Sequence, residues 1–175
     1  MKPCIIDASS AILLFKAELI SDLVSCYDTR MAASVYREIT VNGYAGAESF
    51  REILGQGLIR VHSVPEGDTT TMDSSRYPGG LGPGELETIM LHENGIGDFI
   101  IIDDRRGAAW CRSHGIPYIN ALLVPRILMY ADRLCPERAE SAFAHIISKG
   151  RYSEKIRLFA ASATGSQLSR FFPSG

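Results

Sequence analysis

No apolar run in this chain of 175 residues approaches the ~20 residues needed to cross a bilayer, which argues against a membrane-embedded protein. "MKPCIIDASS" is not expected to act as a signal peptide, because Asp7 interrupts the apolar stretch too early. Paired cysteines are also missing. Cys4, Cys26, Cys111 and Cys135 are scattered without a CxxC, which argues against zinc and fits reduced thiols in the cytoplasm. The four histidines, His62, His92, His114 and His145, show neither metal-ligand nor triad spacing. There is no internal repeat and no linker long enough to divide domains. One domain over residues 1–162 is expected, with 163–175 as a weakly ordered tail.

Strands and helices alternate over the first 120 residues. Short strands are expected at 2–7, 29–33, 58–64, 98–103 and 116–119. Helices are expected at 9–27, 34–40, 45–57, 82–95 and 105–115, then at 120–134, 136–150 and 153–162. Ser9 or Ser10 is a plausible N-cap for the first helix, and Pro125 either bends its helix or marks an early start. Residues 65–82 read as a Gly-, Pro-, Ser- and Thr-rich loop. The pattern is that of an α/β fold with a central parallel sheet of four to five strands between helical layers and extra helices at the C-terminal end.

The net charge of −2 conceals an asymmetry. Residues 1–104 carry seven Lys/Arg against sixteen Asp/Glu, whereas residues 105–175 carry eleven against four. This split suggests an acidic site beside a basic surface, or simply a solvated basic face on the C-terminal helices. In open α/β sheets, ligands bind beyond the carboxyl ends of strands where strand order reverses. Asp7 ends "CIID", and Asp103 and Asp104 end "FIIIDD". If those strands are neighbours, three carboxylates meet at one crevice, with Glu38 and Glu85 on nearby helices. Two carboxylates ~4 Å apart repel by about 4 kcal/mol at an effective dielectric near 20, so either protons or a divalent cation must join them. Oxygen-only ligands suit Mg²⁺ or Mn²⁺, and such sites suit phosphodiester hydrolysis.

Four stretches carry a family resemblance: "CIIDASSAILLFKAE", "SVYREI", "GPGELETIML" and "FIIIDDRRGAAWCRSHGIPYI". In this order, each with its acid, they resemble the successive motif blocks of PIN domains, small metal-dependent ribonucleases common as toxins of prokaryotic toxin–antitoxin pairs. The likeness is closest to a prokaryotic branch with a GE pair before the third block and DDRxG in the fourth. It covers roughly residues 3–130.

The resemblance implies a PIN-like three-layer fold and catalytic acids at Asp7, Glu38, Glu85 and Asp103. It implies Mg²⁺ or Mn²⁺ held by Asp7, Asp103, Asp104 and Glu85, with Asp7 central. It further implies RNA as substrate, a homodimer and a small antitoxin protein as partner. Ser9 matches a small hydroxyl residue often found near the site. Many toxin-type members have Asp where this chain has Glu85. The doubled Asp103–Asp104 leaves the register open; Asp103 is favoured, with Asp104 as second ligand or helix cap. Arg105 and Arg106 directly follow these acids and are expected to hold RNA. Lys149, Arg151, Lys155 and Arg157 form a second basic cluster of undecided role.

Each acid taken alone has a plainer explanation. Asp7 could cap the first helix, Glu38 could be a solvated helix residue, and Glu85 could favour the helix dipole. Trp110, with Ile116 and Tyr118, reads as core rather than a base-stacking platform. "GGLGPGE" (79–85) lacks the preceding strand and GK[ST] ending of a phosphate loop. The rival to a nuclease is a PIN-fold module that binds nucleic acid or protein without cleaving. A receiver domain is disfavoured, because that fold places its acidic pair on the first strand.

Overall fold

A computed structural model of the chain describes residues 1–41, 46–64, 77 and 80–174. Most of the expected loop at 65–82, and residue 45 of the helix expected at 45–57, lie outside the described residues. Five strands, β1 (Lys2–Ile6), β2 (Tyr27–Ala32), β3 (Ile59–His62), β4 (Phe99–Ile101) and β5 (Tyr118–Ile119), form one sheet in the order β3-β2-β1-β4-β5. Every pairing is parallel. The chain runs outward from β1 to β3, then returns to place β4 on the other side of β1. The β1–β4 seam is therefore the point where strand order reverses, and there Ile6 stands opposite Ile101.

The two seam strands are apolar because helices cover both of their faces. Ile5, Ile6, Ile100, Ile101 and Ile102 have no exposed surface. Burying each such side chain contributes about 1.5–3 kcal/mol. Helices α1 (Ala8–Lys16), α2 (Ile20–Cys26), α3 (Ala33–Ile39), α4 (Ala47–Gly55), α5 (Pro83–Glu93) and α6 (Arg105–Ser113) alternate with the strands. The C-terminal part adds a 3-10 turn at Ala121–Leu123 and helices α7 (Val124–Tyr130), α8 (Pro136–Lys149), α9 (Glu154–Ser162) and α10 (Gly165–Leu168). Among the described residues, no helix is long and apolar enough to cross a membrane.

One expectation needs correction. The single helix expected over 9–27 is two. Glu18 takes the left-handed conformation (φ 57°), while the Leu19 N–H donates to Leu14 O at 2.9 Å and closes α1. Of the two readings of Pro125, the helix start holds, since it stands in the first turn of α7, where its missing N–H has no intrahelical partner to lose. In the stretch expected as a tail, Thr164 caps α10 and a 3-10 turn follows at Ser169–Phe171. Leu168 is buried, the Phe171 ring meets Phe99 edge-on at 5.3 Å, and Tyr27 OH donates to Phe171 O at 2.6 Å.

Candidate active site

Strand β1 runs directly into Asp7, whose N–H donates to Ile101 O of β4 at 3.1 Å, so the register carries past the last paired residues. The Asp7 carboxylate turns into the start of α1 and caps it, accepting from the Ser10 N–H at 2.8 Å and from Ser9 Oγ at 2.6 Å. Ser10 also reaches the other strand end, because its hydroxyl donates to Asp103 Oδ2 at 2.7 Å. One residue thus ties two carboxylates together. Asp103 Oδ2 accepts a second bond from the Ala121 N–H at 2.9 Å, and Asp103 Oδ1 accepts from the hydroxyl of buried Tyr152.

A second group of acids stands at helix N-termini. Asp104 caps α6, its Oδ1 accepting from the N–H groups of Arg106 and Gly107 at 2.7 and 2.8 Å. Glu85 is the third residue of α5 and folds back to accept from the Gly82 N–H at 2.8 Å. Glu38 approaches it from α3. A Cβ on Gly84 would lie 3.2 Å from Val35 Cγ2 and 3.4 Å from Glu38 Oε2, so glycine lets the two helices close.

Burial dominates the electrostatics of the inner pair. Asp7 is 2% exposed, and its carboxyl is pushed up from 3.8 to about 7, first by burial and then by the Asp103 charge. Asp103 is likewise raised by burial, against the pull of its three hydrogen bonds. Neither has a Lys or Arg ion pair among the described residues. Glu85 is raised by burial, with Asp104 and Glu38 adding to the effect and Arg106 opposing it.

These residues fit a hard divalent cation in donor type and charge: oxygen donors, negative and without a cation of their own. The neighbouring Cys111 thiol, pushed up to about 12 by burial, offers no thiolate. Asn120, just before Ala121, keeps a buried Oδ1 without a hydrogen-bond partner. As placed, the acids form an inner pair and an outer trio. Among the described residues, no three Asp, Glu, His or Cys side chains make a ready metal-holding group.

The structure therefore gathers all five sequence-predicted acids at one end of the sheet, in two tiers. It treats the two arginines differently. Arg105 is exposed, but Arg106 donates to Gly80 O, linking the start of α6 to the approach to α5. Trp110 stacks on His114 (3.5 Å between centroids) and meets the tilted ring of Tyr77 at 5.4 Å. Sequence reasoning missed the bridging role of Ser10, the Ala121 N–H and Tyr152. Only Ser10 carried a signal, as a hydroxyl one helical turn beyond Asp7.

The fold is a parallel α/β sheet with acids gathered beyond its switch point. The family model described as PIN domain matches residues 3–161, and the chain belongs to that family. PIN domains are generally metal-dependent nucleases that act on nucleic acid with divalent metals. No curated protein and no solved structure matches the chain.

Proposed function

We propose that this protein is an endoribonuclease that hydrolyses RNA phosphodiester bonds with Mg²⁺ or Mn²⁺. The observation that carries the reading is the buried, cation-free pair Asp7 and Asp103 at the β1–β4 switch point, backed by Glu38, Glu85 and Asp104. Asp7 and Asp103 would hold the ion, with Asp104 and Glu85 as further ligands. When bound, such a cation supplies activated water near neutral pH and neutralises charge on a phosphodiester. Ser10 fixes the spacing of the inner pair, and Tyr152 with the Ala121 N–H orients Asp103. Glu38 completes the acid set at the rim. From the family, the reading takes a toxin's cytoplasmic setting, with a homodimer neutralised by a small antitoxin.

A second reading, a PIN-fold binding module without cleavage, draws support from Asp103, both of whose oxygens are already hydrogen-bonded. Calorimetric titration with Mn²⁺ and cleavage of single-stranded RNA separate the two. The nuclease reading expects the native chain to bind Mn²⁺ and cut, and Asp7→Asn to lose both. A native chain that binds no Mn²⁺ and leaves RNA intact supports the binding module.

A further inference from the structure

The turn between α8 and α9 is brought to the acid cluster by one side chain. Tyr152 is 8% exposed and its hydroxyl donates to Asp103, although the two lie 49 positions apart. Its ring lies so close to Gly150 that a Cβ there would strike it. Arg151 is therefore one residue, about 3.8 Å of chain, from a side chain that touches the inner pair.

Around it, residues 149–162 contain Lys149, Arg151, Lys155 and Arg157 against the single acid Glu154. All four cations are exposed. Arg157 donates through Nε to Tyr152 O at 3.0 Å, which braces the turn. Lys149, Arg151 and Lys155 have no hydrogen bond or ion pair among the described residues. Exposed apolar side chains are interleaved with them: Ile156 at 39%, Leu158 at 63% and Phe159 at 48%. Cations beside exposed aromatic surface suit a nucleic acid strand, with the cations on phosphates and a base against the ring.

We infer that the α8–α9 turn and the start of α9 form the track that holds the RNA strand entering the acid cluster. This rests on the nuclease reading and moves the main backbone contact away from Arg106, which is already bonded to Gly80 O. An acidic cluster repels an RNA backbone, so cations beside it favour binding of the strand.

The test is the affinity of a fluorescent single-stranded RNA oligonucleotide in EDTA, measured by anisotropy across salt. The native chain is compared with the triple variant Lys149→Ala, Arg151→Ala, Lys155→Ala. Each phosphate contact to a single strand contributes about 0.7 to the slope of log affinity against log salt. The triple variant is expected to lower that slope by about 2 and to bind roughly 100-fold more weakly at 0.1 M salt. Its circular dichroism and Mn²⁺ affinity should match those of the native chain. Equal RNA affinity and slope in the two proteins overturn the inference. So does unchanged RNA binding accompanied by lost binding to phosphatidylglycerol vesicles, which would make the surface a membrane contact. Native protein that binds RNA through these residues but never cuts it with Mn²⁺ overturns the nuclease reading and leaves the track standing.

Discussion

Asp7→Asn should make the metal-free protein more stable at pH 8, although it alters a residue at the centre of the site. Asn is as good an N-cap as Asp, so the bond from the Ser10 N–H to this side chain survives. What disappears is a charge that the fold disfavours. The Asp7 carboxyl is near 3.8 when unfolded and about 7 in the native state. The native chain therefore holds that proton more tightly. Stability from this group is fully present below about pH 4 and is lost as pH rises through about 7. A shift of about three pH units corresponds to at most ~4 kcal/mol.

The assay is urea unfolding in EDTA at pH values from 4.5 to 8. His62 and His92, whose pKa values burial lowers, titrate in the same range with opposite sign, adding stability above their unfolded pKa. The difference between the two proteins, not either curve alone, isolates Asp7. That difference should grow in favour of Asp7→Asn as pH rises, reaching ~2–4 kcal/mol at pH 8. Mn²⁺ at 100 times its Kd should add about 2.7 kcal/mol to the native chain and nothing to the variant. A variant less stable than the native chain at pH 8 in EDTA, with no dependence of the difference on pH, would refute the buried-charge argument.

Tyr152→Phe removes one donor from Asp103 and should cost about 1.5 kcal/mol in urea unfolding, while weakening Mn²⁺ binding; unchanged values for both would detach Tyr152 from the site. Glu85→Gln keeps a capping-box side chain at the third position of α5, so stability should stay within about 0.5 kcal/mol. Mn²⁺-dependent cleavage should nevertheless fall at least tenfold, about 1.4 kcal/mol of transition-state stabilisation, and full activity would remove Glu85 from the chemistry. Ending the chain after Ala163 removes buried Leu168 and the Phe171–Phe99 contact. Thermal unfolding should then show Tm lower by about 5 °C or more, at 2–4 °C per kcal/mol for a chain of this size; an unchanged Tm would show that the terminal segment adds nothing.

The β1–β4 seam was legible because two short β-branched runs, each ending in Asp, can only be buried strands in an alternating α/β pattern. From sequence, Asp7 reads as either a helix cap or a functional acid. The structure shows that one carboxylate caps α1 and also faces Asp103, so the alternatives were not exclusive. The break at Glu18 was hidden, since no glycine marks its left-handed backbone and the apolar pattern runs on through Leu19 and Ile20. Tyr152 could not be found from spacing, because its partner is fixed by how α8 packs and not by sequence distance. The placement of residues 164–171 rests on a hydrogen bond from Tyr27 and a ring contact with Phe99, at the starts of the two strands that flank β1, which no local signal announces.

The arrangement of the acids also bears on why they are there. Asp7, Glu85 and Asp104 each occupy a cap or first turn of a helix, where backbone N–H groups and the dipole favour a negative charge by about 0.3–1 kcal/mol. That accounts for each one singly. It does not account for the set, because a close pair of carboxylates costs about 4 kcal/mol at an effective dielectric near 20. Helix capping alone could be met by Ser or Asn at Asp7 and Asp104 and by Gln at Glu85, without repulsion. At neutral pH the cluster is thus a net cost to the apo fold, carried by the isoleucine-rich seam beneath it. An external positive charge removes that cost, and the Asp7→Asn comparison with and without Mn²⁺ measures both sides of the balance.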